Sequence, residues 1–231
     1  MIVNLRKRYN GQQLRLILRS HASWDPYIFF SDPYGFLEVR NKVVLDVGGA
    51  IGDSAIYFAS EGAKRVYVLE PFPYSFEVLL ENVKINGFVD IIYGINAAIS
   101  YSAGTSMVSR KPSNTATVFS QSRPQSIGGS DIVQITTLSD IVKEYDLQDA
   151  VLKMDCEGCE YEAILNSEVV TLRKFTRILV EYHRGFKGLV EKLESADFEV
   201  AVLCNEGQSV DYLRAIRNDR SQLVVYKRTV R

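Results

Sequence analysis

Val43-Val44-Leu45-Asp46-Val47-Gly48-Gly49-Ala50-Ile51-Gly52-Asp53-Ser54 is the stretch on which the fold turns. Its first five residues form an apolar run with almost no polar alternation, the pattern of a parallel strand buried on both faces. Gly48 and Gly52 then permit close backbone approach, and Asp53 or Ser54 can cap a helix that begins there. In an open α/β sheet, ligands bind beyond the carboxyl ends of the strands. The turn is therefore the first candidate site.

Working outward, short β-branched runs alternate with stretches of helical period, as in a doubly wound, mostly parallel sheet. Strands are expected at 43–47, 66–69, 91–95, 150–155 and 177–181. Ala55, Ile56, Phe58 and Ala59, then Phe76, Leu79, Leu80 and Val83, each place apolar residues on one helical stripe. Gly62 and Gly87 fall where those helices should stop. A helix at 186–196 and strands at 198–203 and 222–226 follow, the last two read as an antiparallel pair joined through a polar segment with Gly207. Residues 100–130 are rich in Ser and Thr, but strand character at 115–119 and 132–135 indicates an inserted β excursion. Residues 1–40 stand outside the alternation as an amino-terminal cap segment, leaving 41–231 as one compact domain. The cap carries Arg6, Lys7, Arg8, Arg15 and Arg19, read either as a solvated helical face or as a surface for an anionic substrate.

The charges around the first turn discriminate between ligands. A dinucleotide site would have Gly at position 50 and Gly or Ala at 53, where this chain has Ala50 and Asp53. Asp46 and Asp53 would also repel a pyrophosphate. S-adenosylmethionine (SAM) carries an ammonium and a sulfonium, which an acidic, glycine-lined pocket suits. Glu70, at the end of the second strand, can accept hydrogen bonds from the ribose hydroxyls of an adenosine.

The segments LDVGGAIGDSAIYFASEGAKRVYVLEPFP, ENVKINGF, NAAIS, LKMDCEGCEYEAIL and LVEYH together resemble the FkbM family of SAM-dependent methyltransferases, over residues 42 to about 200. The resemblance implies a class I, Rossmann-like methyltransferase fold and transfer of a methyl group to a hydroxyl of a sugar, a glycoside or another polar small molecule. It implies a cofactor site formed by Asp46, Gly48, Gly49, Gly52, Asp53, Ser54, Glu70, Pro71, Phe72, Asn96 and Ala97. Departures from the family pattern are Gly49-Ala50 and the two cysteines of MDCEGCE. An RNA ribose methyltransferase and a non-catalytic SAM-binding protein are the alternative readings.

A hydroxyl acceptor must lose a proton, and Asp155, Glu157 and His183 are the candidates to take or orient it. With Glu181, the carboxylates of Asp155 and Glu157 could also collect a divalent ion such as magnesium or calcium. Cys156, Cys159 and Cys204 are an odd count, read as reduced thiols, and no second ligand pair completes a zinc site. Methyltransferases of nucleic acid amines carry an Asn/Asp-Pro-Pro-aromatic element after the fourth strand. Here Asp155-Cys156-Glu157-Gly158 stands in that place, and Asp32-Pro33-Tyr34 precedes the first strand.

Composition sets the outer limits. With 46% hydrophobic and 24% charged residues, the chain is globular, not disordered. A net charge of -1 provides no broad positive field for nucleic acid or an anionic membrane. No apolar run reaches the roughly 18 residues of a membrane span, and the start MIVNLRKRYN is charged too early for a signal peptide, so a cytoplasmic location is expected.

Overall fold

The structure, a computed structural model, describes residues 2–9, 12–17, 28–31, 33–109, 130–203 and 211–218. A hairpin of β1 (Ile2–Tyr9) and β2 (Gln12–Ile17) is followed by the short α1 (Ile28–Ser31) and then by β3 (Val43–Val47) and α2 (Asp53–Ser60). Next come β4 (Arg65–Leu69), α3 (Pro73–Ile85), β5 (Ile92–Ile95), β6 (Ala97–Ile99), β7 (Gly104–Ser109) and β8 (Ser130–Thr136). The chain continues with α4 (Leu138–Glu144), β9 (Ala150–Met154), α5 (Cys159–Leu165), α6 (Val169–Leu172), β10 (Phe175–Tyr182), α7 (Lys187–Ser195), β11 (Phe198–Leu203) and β12 (Asp211–Arg217).

Seven strands form the main sheet in the order β11-β12-β10-β9-β3-β4-β5. β3 pairs in parallel with β4 on one side and β9 on the other, so the strand order reverses at the β3/β9 boundary. That reversal opens a crevice at the carboxyl ends of the strands. Val44, Leu45, Val47, Val66, Val68, Val151, Leu152 and Met154 are buried, as their unbroken apolar runs require.

The alternation expected from the sequence is present, with four differences. β12, not 222–226, pairs antiparallel with β11, and it lies between β11 and β10. Residues 222–226 lie outside the described residues. Arg214 and Arg217 disguise β12 in the sequence: the Arg214 guanidinium lies 5.2 Å from the Phe36 ring centre and Arg217 pairs with Asp149 at 2.6 Å. On α3, Leu80 points outward, and the buried stripe is Val78, Leu79, Asn82 and Val83. Asn82 can be buried because its amide donates to the Ile51 carbonyl at 2.8 Å.

Third, the basic residues before Tyr9 belong to a hairpin, not to a helical face. Leu5 and Leu14 from that hairpin, with Ile28, Phe29, Tyr34, Leu37 and Val39, join the same apolar cluster as Val44, Phe58 and Val66. The Arg15 backbone N–H donates to Asn86 Oδ1 at 2.6 Å, at the end of α3 remote from the crevice. Fourth, the β excursion is a separate three-stranded sheet, β6-β8-β7, built with 104–109 as well as the expected 132–135; residues 115–119 lie outside the described residues. It sits at the crevice end, where the Ser100 hydroxyl donates to Glu162 of α5.

Two glycines let the turn after β3 pack into the sheet. The N–H groups of Gly48 and Gly49 both donate to the Leu69 carbonyl, at 3.0 and 2.9 Å. A Cβ at Gly48 would stand 1.8 Å from the Asp155 carbonyl oxygen, and one at Gly49 would stand 2.2 Å from Val68 Cγ2. Gly48 also has φ +85, a left-handed conformation. Gly48→Ala should therefore cost about 2–5 kcal/mol, from left-handed strain plus overpacking, and lower Tm by on the order of 10 °C. Gly87→Ala should cost only about 1–2 kcal/mol, because Gly87 has φ +72 but no atom near its absent Cβ. Thermal melts of the two variants check the comparison; equal losses would show that the contact with the Asp155 carbonyl carries no cost.

Candidate active site

A buried lysine stands at the strand reversal. Lys153, the fourth residue of β9, is 3% exposed, and its ammonium lies 3.1 Å from Asp46 Oδ1 on the neighbouring β3. It also donates to the Gly48 carbonyl at 3.0 Å and lies 3.8 Å from Asp155 Oδ2. Burial opposes the ammonium, but Asp46 and Asp155 outweigh it, so its pKa rises above the ordinary lysine value. Asp46 Oδ2 accepts the Ser54 hydroxyl at 2.6 Å. Ser54 is thus spent inward, and the residue that precedes α2 as its cap is Gly52, not Asp53 or Ser54.

Glu70 ties the first two strand-end loops together. Its Oε2 accepts the Ala50 N–H at 2.8 Å and its Oε1 accepts the Phe72 N–H at 2.9 Å. Burial pushes its pKa up to about 7, against the two backbone donors that pull the other way. Each carboxylate oxygen retains a second lone pair for a ligand hydroxyl. Asn96 fixes the next loop by donating to the carbonyls of Glu70 and Pro71, at 2.8 and 3.2 Å. Pro71 and Phe72 are half-buried beside it, and Ala97 is buried at the start of β6, paired with Gln134. Asp53 opens α2, half-buried at the crevice.

Across the crevice, His183 follows β10 in a ring of carboxylates. Its Nδ1 lies 3.0 Å from Glu160 Oε1, and its Nε2 lies 3.4 Å from Glu157 Oε2 and 3.6 Å from Glu181 Oε1. Glu160 is fully buried, and its other oxygen accepts the Gly158 N–H at 2.9 Å. Burial disfavours the imidazolium, but Glu160, Glu157 and Glu181 outweigh it and raise the His183 pKa. Glu181 is itself pushed up to about 7, by burial and by Asp155. Burial likewise raises Glu157. The Tyr161 hydroxyl accepts the backbone N–H groups of His183 and Arg184, at 3.1 and 2.5 Å, and donates to the Gly185 carbonyl at 3.0 Å, which holds the loop in place.

The structure thus brings the expected Asp155, Glu157 and His183 into one cluster, joined to the glycine turn through Lys153. The sequence reading does not single out Lys153, Glu160 or Tyr161. Lys153 could have been found, since one charge inside the apolar run Ala150–Met154 demands a buried partner. Glu160 and Tyr161 carry no such signal. Cys156 and Cys159, expected as thiols, are joined as a disulfide, because consecutive left-handed residues, Glu157 (φ 57) and Gly158 (φ 114), fold the loop back and bring their Cα atoms to 5.5 Å. Cys204 lies outside the described residues. Ligand atoms of Asp155, Glu181 and His183 lie within 4.8 Å of one another. The Lys153 ammonium, 3.8 Å from Asp155, opposes a second cation there, so the set fits a resident divalent ion poorly.

Strand order, the antiparallel strand one place in from the edge and the site at the reversal define a class I methyltransferase fold. Many solved structures share it, among them these three. Methyltransferase FkbM from Methylobacillus flagellatus KT aligns with 83% of this chain and 48% of its own, at 17% identity and TM-score 0.56. Precorrin-6y C5,15-methyltransferase from Geobacter metallireducens aligns over 80% and 85%, at 15% identity and TM-score 0.52. TrmK from M. capricolum, in complex with S-adenosyl-homocysteine, aligns over 80% and 66%, at 11% identity and TM-score 0.51. The chain therefore spans about two thirds of the last of these and about half of the first. At such identities the likeness carries the fold alone. A methyltransferase FkbM domain matches residues 46–205, and the chain belongs to that family. No curated protein sequence matches the chain.

Removing the Lys153 charge tests the architecture of the site. Lys153→Met would strand a buried carboxylate and should destabilise the protein by about 3–5 kcal/mol. Burial already raises the Asp46 pKa and loss of the ammonium would raise it further, so the variant should lose stability relative to the parent as pH rises from the ordinary carboxylate range towards neutrality. Urea melts across that range check this, and equal stability at all pH values would remove Lys153 from its central role.

Proposed function

We propose that this protein transfers a methyl group from SAM to a hydroxyl oxygen of a sugar or other polar small molecule. The observation that carries the reading is His183, held by buried Glu160 on one nitrogen and facing Glu157 with the other, beside a loop organised by Glu70. Asp46, Asp53, Asp155, Glu157, Glu160 and Glu181 outnumber Lys153 and His183 around the crevice. That balance favours a cationic ligand over a pyrophosphate. Glu70 is assigned to the ribose hydroxyls, through the second lone pair on each oxygen. Asp46 acts indirectly, by placing Lys153 and, through it, the Gly48 carbonyl.

SAM would supply the methyl group as an electrophilic carbon on a cationic sulfur, which would leave as a neutral thioether. The protein's own part is to align the acceptor and remove its proton. Neutral His183, or ionised Glu157, takes that proton; Glu160 fixes the imidazole plane and favours its charged state. Because the surrounding carboxylates raise the His183 pKa, the competent neutral form grows as pH rises. Turnover should therefore fall on the acid side. Residues 1–40 are assigned as an amino-terminal cap segment, whose described residues Leu5, Leu14, Ile28 and Phe29 join the core, and 41–231 as the methyltransferase domain.

Two outcomes test the reading. Glu70→Ala should weaken S-adenosylhomocysteine binding about 10- to 150-fold, the worth of charge-assisted hydrogen bonds. In the parent, affinity should rise with pH through about 7 as Glu70 ionises, and the variant should lose much of that rise. Calorimetry reads both, and unchanged affinity would refute the ribose assignment. Glu157→Gln and His183→Asn should lower turnover about 10²- to 10⁴-fold with little effect on S-adenosylhomocysteine affinity. The substrate for that assay comes from incubation with labelled SAM and a small-molecule extract, with the product identified by mass spectrometry. Two destabilised but fully active variants would sink the catalytic assignment.

A further inference from the structure

The two cysteines of the disulfide interleave with residues of the site, in the order Asp155, Cys156, Glu157, Gly158, Cys159, Glu160. The ring they close contains Glu157, whose backbone is left-handed at φ 57, a conformation unfavourable for a residue with a Cβ. The ring is too short to restrain the unfolded chain by much, so local conformation is what the bond controls. Cys156 Sγ also lies 3.5 Å from Glu160 Oε2. Joined to Cys159, that sulfur has no proton to give; as a thiol it has one. The other oxygen of the same carboxylate holds His183 Nδ1 at 3.0 Å. A contact path therefore runs from the cysteine sulfur to the imidazole through one carboxylate.

We propose that Cys156 and Cys159 form a thiol–disulfide switch on the acceptor side of the site: the disulfide pins Glu157 beside His183, and reduction frees the loop and gives Glu160 a thiol donor. The consequence for methyl transfer rests on the function proposed above; the switch itself does not. A dithiol reductant opens the pair by exchange. One of its thiolates attacks the half-buried Cys156 sulfur, the S–S bond breaks, and Cys159, 8% exposed, leaves as a thiolate and takes a proton. Its second thiol then displaces Cys156 as a thiol and leaves as a disulfide. Two electrons and two protons pass to the protein, and a small-molecule disulfide reverses the exchange.

Several groups face His183: Glu160 on α5, Glu157 in the loop before it, Glu181 on β10 and Asp155 beyond β9, with the Lys153 ammonium behind Asp155 and the Tyr161 hydroxyl on the His183 backbone. Glu160 is the member of this set in contact with a cysteine sulfur among the described residues. A thiol donating to Glu160 would draw off negative charge that otherwise stabilises the imidazolium. Reduction should therefore move the His183 titration to lower pH.

The full chain, treated with oxidised glutathione or with dithiothreitol, provides both forms. Alkylation mapped by mass spectrometry should label Cys156 and Cys159 only after reduction. Histidine ring NMR, with the His183 signal assigned by its loss in His183→Asn, should place the midpoint lower in the reduced form by about 0.3 pH units or more. S-adenosylhomocysteine affinity should change less than about twofold, since Glu70 is held by the Ala50 and Phe72 N–H groups, outside the disulfide ring. The Cys156→Ser/Cys159→Ser variant, with a hydroxyl donor in place of the thiol, should titrate at the lower pH under both treatments. Alkylation of both cysteines after oxidant treatment, or one His183 midpoint shared by the two forms, overturns the switch. Neither readout needs methyl transfer, so failure here and failure of the proposed function are separable.

Discussion

A lysine ammonium removed from water must find its charge partners within a few ångströms, or the strand that carries it will not bury. Lys153 meets that requirement by drawing on three places at once: Asp46 on β3, the carbonyl of Gly48 in the following turn, and Asp155 at the end of its own strand. The strand reversal between β3 and β9 is thereby closed by an ion pair where apolar packing would otherwise serve. The position of the glycine turn relative to the acidic loop after β9 follows from it. Gly48 has to lack a side chain for the same reason, because its Cα passes directly over the Asp155 carbonyl.

Around that fixed point the protein accumulates carboxylates that a purely structural design would avoid. Glu70 and Glu181 are both pushed up to about 7, so folding binds protons that the unfolded chain would release. Glu70 has an unfolded pKa of 4.5, and its contribution is present below that pH and lost as pH rises to about 7. The loss is on the order of 3 kcal/mol. Such a cost is typical of a site held ready for a ligand that returns the missing charge or hydrogen bonds. A cationic cofactor with ribose hydroxyls matches both deficits. His183 sits where the same acids favour its protonated form, with Glu160 fixing its orientation.

The two additions to the sheet have different tasks. The amino-terminal hairpin and residues 33–39 extend the apolar cluster on the α2 side, and their polar contacts from Arg15 to Asn86 and from Phe36 and Glu38 to Arg177 lie at the end opposite the crevice. The small β6-β8-β7 sheet stands at the crevice end, beside α5. It therefore borders the helix that carries Glu160.

The apolar runs 43–47 and 150–154, the glycine turn and the acid at Glu70 could all be read from the chain, because burial on both faces and a tight strand-to-helix turn leave local signatures. Asp155, Glu157 and His183 were also legible as strand-end groups. Other features depended on contacts between distant segments. β12 hides behind two arginines whose charges are met by Phe36 and Asp149, and Asn82 takes a buried place on α3 because Ile51 offers it a carbonyl. Whether Cys156 and Cys159 join was decided by the left-handed turn at Glu157 and Gly158, which no count of cysteines reveals. Glu160 is one acid among several in the sequence; it becomes the partner of His183 only when α5 lies against the end of β10. Local propensity and periodicity determined the elements and the edge where the site forms, while the pairing of charges was left to the tertiary structure, since a buried charge is defined by the neighbours that compensate it.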